Sequence, residues 1–198
     1  MELIPVRHEV CILGHSFIRR LAEHVSNSPD DKHLRLNKTY LLDFKSKGGA
    51  RVRNLPSLFK GRTSFDIVYI QIGEDDIGTC NISTFIRHYQ AFTDFLLLGA
   101  DVKLVIIGEL IRRLPKNSVP TFNTTIMKVN NILESLFAEH PKVIFWRHRG
   151  FKADFTHVGG DGVHLSTADH VHKLSGMKRF IRSVRNALIY GTKLLRPV

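Results

Sequence analysis

Residues 11–21 read CILGHSFIRRL, and the folding of this stretch decides the architecture. Its first residues extend the apolar run begun at Val10, and a run without polar alternation suits a strand covered on both faces. From Phe17 onward the chain continues as a basic amphipathic helix, so Gly14-His15-Ser16 is a strand-to-helix turn. A serine there is either a helix N-cap or a nucleophile held at the edge of a sheet.

Outward from this unit, short β-branched runs alternate with longer segments of helical period, the pattern of βαβ units around a parallel sheet. The runs predict strands at Val10–Leu13, Tyr40–Phe44, Ile67–Ile72, Val102–Ile107 and Val143–Trp146. Between and after them, three sets of residues recur every three or four positions and predict inward helix faces. They are Phe85, Tyr89, Phe92 and Leu96; Phe122, Ile126, Val129, Leu133 and Leu136; and Leu174, Met177, Ile181, Val184 and Leu188. The expected architecture is α/β, a three-layer α/β/α sandwich on a five-stranded parallel sheet. A chain of 198 residues without repeats or linkers fits a single domain over residues 1–198. The tail after Gly191 reads as loose, or as a short docked extension.

Composition narrows the function classes. The apolar fraction of 43% supports a sizeable core without metal or disulfide staples. Cys11 falls in a strand and Cys80 in a polar loop, with no CxxC pair, so reduced thiols and an intracellular, soluble protein are expected. No apolar run approaches the length of a transmembrane segment or a signal-peptide core. Asn37, Asn81 and Asn123 head glycosylation sequons, which matter only in a secreted chain. The net charge of +11 favours polyanions. Its best stripe is Lys178, Arg182 and Arg185 on the last helix, a candidate surface for nucleic acid or acidic lipid and otherwise a solvated face.

In a parallel sheet, ligands bind beyond the carboxyl ends of the strands. The segments at or after those ends are Gly14-His15-Ser16, KSKGGARVRNL (45–55), GEDDIG (73–78) and, after the fifth strand, GGDGVHL (159–165). Asp161, three residues before His164 in a Gly-rich turn, can orient the imidazole while its other nitrogen faces a hydroxyl. These segments in order resemble the four motif blocks of the SGNH hydrolases, the GDSL esterase/lipase superfamily, from Cys11 to about Leu188. The resemblance implies a flavodoxin-like sandwich with no metal or organic cofactor. It implies Ser16 as nucleophile, His164 as general base and Asp161 as orienter, with an oxyanion hole from Ser16, Gly49 and the third-block residue Asp75. GHSF together with DGVHL looks like a divergent animal branch that includes proteins of LINE-type retrotransposons.

Two positions depart from the family pattern. His15 replaces the usual Asp before the nucleophile. Asp75 replaces the Asn whose amide donates to the oxyanion, a loss worth about 2.7–4 kcal/mol for one such donor. A donor would be restored if burial and the like charges of Glu74 and Asp76 held Asp75 protonated. Other chemistries fare worse. His164, His170 and His172 could form a metal cluster, but His164 is already claimed, and neither Gly-rich loop has a phosphate-loop or dinucleotide signature. Arg112-Arg113 after the fourth strand would either favour an anionic substrate or lie in a surface loop. Two readings follow: a serine esterase acting on small acyl esters, lipids or acetylated sugars, or a catalytically weak SGNH-like module that binds nucleic acid through its basic last helix.

Overall fold

The computed structural model describes residues 7–61, 64–151, 155–169 and 174–196. Five parallel strands lie in the order β2-β1-β3-β4-β5: β1 His8–Gly14, β2 Tyr40–Ser46, β3 Ile67–Gln71, β4 Leu104–Gly108 and β5 Val143–Trp146. Alternate residues of β1, β3 and β4 face opposite layers. Val10, Ile12, Ile67, Tyr69, Leu104 and Ile106 pack with α1 (Ser16–Asn27) and α5 (Gly176–Leu194). Cys11, Leu13, Val68, Ile70, Val105 and Ile107 pack with α2 (Leu55–Leu58), α3 (Ile82–Asp94) and α4 (Phe122–Phe137). The three-layer α/β/α sandwich expected from the sequence is therefore present. The strand order reverses between β2 and β3, which places the functional crevice at the carboxyl ends of β1 and β3.

Several boundaries differ from the sequence reading. Val102 donates its amide to Leu96 O at 3.0 Å, so the turn after α3 claims it and β4 begins only at Leu104. On α4 the inward position is Phe137 and Leu136 is exposed, because four residues beyond Leu133 returns closer to the buried face than three. Leu174 precedes α5, whose buried face adds Phe180. Gly191 lies within α5 and does not end it. A Cβ there would stand 2.8 Å from Leu104 Cδ2, so a side chain would push the helix off the sheet. Thr192 then bonds Tyr40 OH at 2.8 Å, which docks the last turn on β2.

The sequon asparagines have structural work. Asn81 caps α3 through Thr84 N at 2.8 Å. Asn123 clamps both backbone groups of Arg113, at 3.0 and 2.8 Å. Among the described residues no helix is long and apolar enough to cross a membrane. Cys11 is buried, and desolvation pushes its thiol up to about 12, which makes it inert.

Candidate active site

Ser16 is the first residue of α1, and His15 is its cap. The His15 Nδ1 accepts from Phe17 N at 3.4 Å, which releases the Ser16 hydroxyl from capping. The turn is tight. A Cβ on Gly14 would sit 2.2 Å from Gln71 O, so only glycine lets β1 pass β3 as it enters the helix. At the first turn of α1 the Ser16 amide has no helical acceptor and remains available to a ligand.

The residues expected to act together meet. Ser16 Oγ lies 3.2 Å from His164 Nε2, and His164 Nδ1 lies 2.7 Å from Asp161 Oδ2. Asp161 Oδ1 accepts the amides of Val163 and His164 at 2.9 and 2.8 Å. Desolvation pushes the Asp161 carboxyl up, but the two amides and the imidazole outweigh it and hold the group well below the usual carboxylate range. A carboxylate only accepts, so the His164 proton sits on Nδ1 and Nε2 turns a lone pair toward Ser16. Asn117 Nδ2 donates to Asp161 O at 2.6 Å and Leu114 N to Gly162 O at 2.9 Å, which ties this turn to the segment after β4.

Gly49 occupies a left-handed turn after β2, φ +69°. Lys47 N donates to Gly14 O at 3.2 Å and docks that turn beside the end of β1. The third block is anchored by Gly73, φ +135°, where a Cβ would meet Phe85 at 2.8 Å. Asp76 Oδ2 accepts from Val52 N at 3.0 Å and so joins this block to the segment after Gly49. Burial is the main influence on Asp76 and raises its pKa.

Asp75 is paired with a cation from the segment after β4. Its Oδ1 accepts from Arg113 Nη2 at 2.7 Å, and this guanidinium lies over the Phe122 ring at 4.8 Å. The Arg113 guanidinium is the ion-pair partner of Asp75, while Glu74 and Asp76 have donors of their own. Arg113 is thus committed to a protein carboxylate, while Arg112 donates to Phe151 O at 3.3 Å.

Sequence reasoning missed a buried polar chain behind Ser16. Glu74, fully buried, accepts from His15 Nε2 at 2.6 Å, Gln71 Nε2 at 3.0 Å and Ile111 N at 2.9 Å. Burial would raise its pKa, yet the His15 imidazole and the hydrogen bonds win, and the group is held below its ordinary value. Gln71 Oε1 passes the chain to His148 Nε2 at 2.9 Å, and His148 Nδ1 meets Ser183 Oγ on α5 at 2.8 Å. The available signal was Gln71 itself, a polar side chain in an otherwise apolar strand, and a buried polar group needs partners.

Burial lowers the His148 pKa from 6.5 to about 4. Between those values the unfolded chain binds a proton that the folded one refuses. This contribution is complete above pH 6.5 and is lost as pH falls through 4, about 3 kcal/mol in all. Urea unfolding from pH 7 to pH 4 should show that drop, and His148→Gln should flatten it. An unchanged slope in the variant would mean that His148 takes up its proton in the folded protein as readily as in the unfolded chain.

A cavity of about 350 Å³ is lined by Arg20, residues 158–161 and residues 164–168, Asp161 and His164 among them. A larger one, about 620 Å³, opens beside Arg112, Arg147 and His148 and does not reach Ser16. Among the described residues no group of three His, Cys, Asp or Glu could hold a metal ion, and His170 and His172 lie outside them. Of the basic stripe, Lys178 is paired with Asp169 at 2.7 Å, Arg185 is half-buried and Arg182 is exposed.

Solved structures share this fold. A lipase/acylhydrolase from Enterococcus faecalis superposes with a TM-score of 0.65 at 15% identity, covering 90% of this chain and 96% of that one. A catalytic mutant of an acetylxylan esterase from Geobacillus stearothermophilus gives 0.64 at 16%, covering 92% and 94%. A GDSL-like lipase from Bacteroides thetaiotaomicron gives 0.63 at 15%, covering 91% and 87%. No family model matches the chain, and comparison with curated proteins finds no match.

Proposed function

We propose that this chain is an SGNH-type serine hydrolase of small acyl esters. The observation that carries the reading is the unbroken line from Ser16 Oγ through His164 to Asp161, each link within hydrogen-bond reach. His164 takes the Ser16 proton as Oγ attacks the acyl carbonyl, then returns it to the departing alcohol. Water activated by the same imidazole releases the acid. The amides of Ser16 and Gly49 face the developing oxyanion. The fold neighbours, an acetylxylan esterase among them, favour short acyl groups on a carbohydrate or lipid alcohol. The basic stripe supports the binding-module alternative less well, since Lys178 has a carboxylate partner.

The test is hydrolysis of nitrophenyl acetate from pH 6 to 9 together with a fluorophosphonate that labels activated serines. Turnover should stand well above buffer, and mass spectrometry should find one adduct, on Ser16. An unlabelled protein with no turnover above buffer would sink the proposal.

Asp75→Asn separately tests the oxyanion hole. The Asn carbonyl can still accept from Arg113 while its NH₂ presents the missing donor, so kcat should rise about 100-fold, the scale of one oxyanion donor. An unchanged kcat would remove this position from the hole.

A further inference from the structure

Ser16 has a second imidazole. His15 Nδ1 also lies 3.2 Å from Ser16 Oγ, equal to the distance from His164 Nε2, and His15 Nε2 lies 2.6 Å from Glu74 Oε2. The partners assign the tautomer. Glu74 is a carboxylate that only accepts, so Nε2 carries the hydrogen; Phe17 N only donates, so Nδ1 carries the lone pair. One hydroxyl proton thus has two acceptors, each an imidazole backed by a carboxylate. The two dyads differ in solvation. His164 and Asp161 side chains are 23% and 47% exposed, whereas His15 and Glu74 are 1% and 0% exposed.

We propose that His15, backed by Glu74, is a second general base that can activate Ser16 for acylation without His164. The inference rests on the serine-hydrolase reading above. In the step, the Ser16 Oγ–H bond breaks and its proton goes to the His15 Nδ1 lone pair, displacing the long 3.4 Å hydrogen bond from Phe17 N, while Oγ bonds to the acyl carbon. The carbonyl electron pair moves to oxygen, then returns as the C–O bond to the leaving group breaks. Glu74 stabilises the imidazolium, as a buried carboxylate does for a catalytic histidine. From its buried position His15 can reach Ser16 but not the leaving alcohol or the attacking water. It therefore suffices only for an ester whose leaving group departs as an anion. Deacylation still needs His164.

That division gives a kinetic signature. With nitrophenyl acetate, His164→Ala should release a burst of about one equivalent of nitrophenolate and then stall as acetylated Ser16, visible by mass. A simple alkyl acetate should give no burst. In His15→Asn/His164→Ala the burst rate should fall at least tenfold, with asparagine keeping a helix-capping side chain. Glu74→Gln/His164→Ala should lose it too, because the amide can donate to His15 Nε2 and move the proton to Nδ1. No burst in His164→Ala, or one that survives both double variants, would overturn the proposal while wild-type labelling at Ser16 still upheld the hydrolase reading. Failure of the wild type to acylate Ser16 would remove both.

Discussion

Ser16→Ala is expected to lower kcat/KM for nitrophenyl acetate by about 10⁴-fold or more, the scale on which a nucleophile acting within a triad is lost. The variant removes the atom that both imidazoles address and leaves only binding and backbone donors. It should not disturb the fold, since His15 and not Ser16 caps α1 and the hydroxyl is only partly buried. Its unfolding free energy should stay within about 0.5 kcal/mol of wild type, so lost activity can be read as lost chemistry. Wild-type-like turnover in Ser16→Ala would place the nucleophile elsewhere. His164→Ala should lose less in the acylation step on this activated ester, because His15 keeps its place beside Oγ. Measuring both variants on the same substrate orders the two bases.

What the sequence made legible follows from what periodicity can and cannot carry. The sheet was readable because β1, β3 and β4 are nearly unbroken apolar runs, and the faces of α3 and α4 because their aromatic and aliphatic residues repeat at helical spacing. The contact of Ser16 with Asp161 and His164 spans almost the whole chain, yet the block order suggested it, since parallel strands deliver their following loops to one edge. Pairings between side chains with no fixed spacing stayed hidden. Nothing in GHSF and GEDD says that His15 reaches Glu74, because that contact depends on how far β1 and β3 advance before turning. The partner of Asp75 stayed hidden for the same reason. Its neighbours in sequence suggested like-charge crowding, while in space its partner comes from the segment after β4. The tail was read as beginning after Gly191, whose close packing on Leu104 shows only once the sheet beneath it is in view.

Glu74→Ala should cost at least about 3 kcal/mol of unfolding free energy, because it leaves three buried donors without an acceptor at about 1–3 kcal/mol each. Truncation removes one acceptor but orphans three donors, His15 Nε2, Gln71 Nε2 and Ile111 N, in a region with no side-chain exposure at the carboxylate. Each orphan carries its own desolvation penalty. Glu74→Gln keeps the volume and one acceptor, so a smaller loss, about 1–3 kcal/mol, is expected. Urea denaturation at pH 7 checks both. A loss below about 1 kcal/mol in Glu74→Ala would show that water enters and rebuilds the network. The pH dependence sharpens the test. Because the Glu74 pKa is depressed on folding, its contribution is present above the ordinary carboxylate range and lost as pH falls through the lowered value. The alanine variant should therefore destabilise most at neutral pH and converge toward wild type in acid. The same side chain that holds β3 to the segment after β4 also sets the His15 tautomer beside the nucleophile, so in a His164→Ala background stability and acylation should fail together at Glu74, whereas in Ser16→Ala they separate.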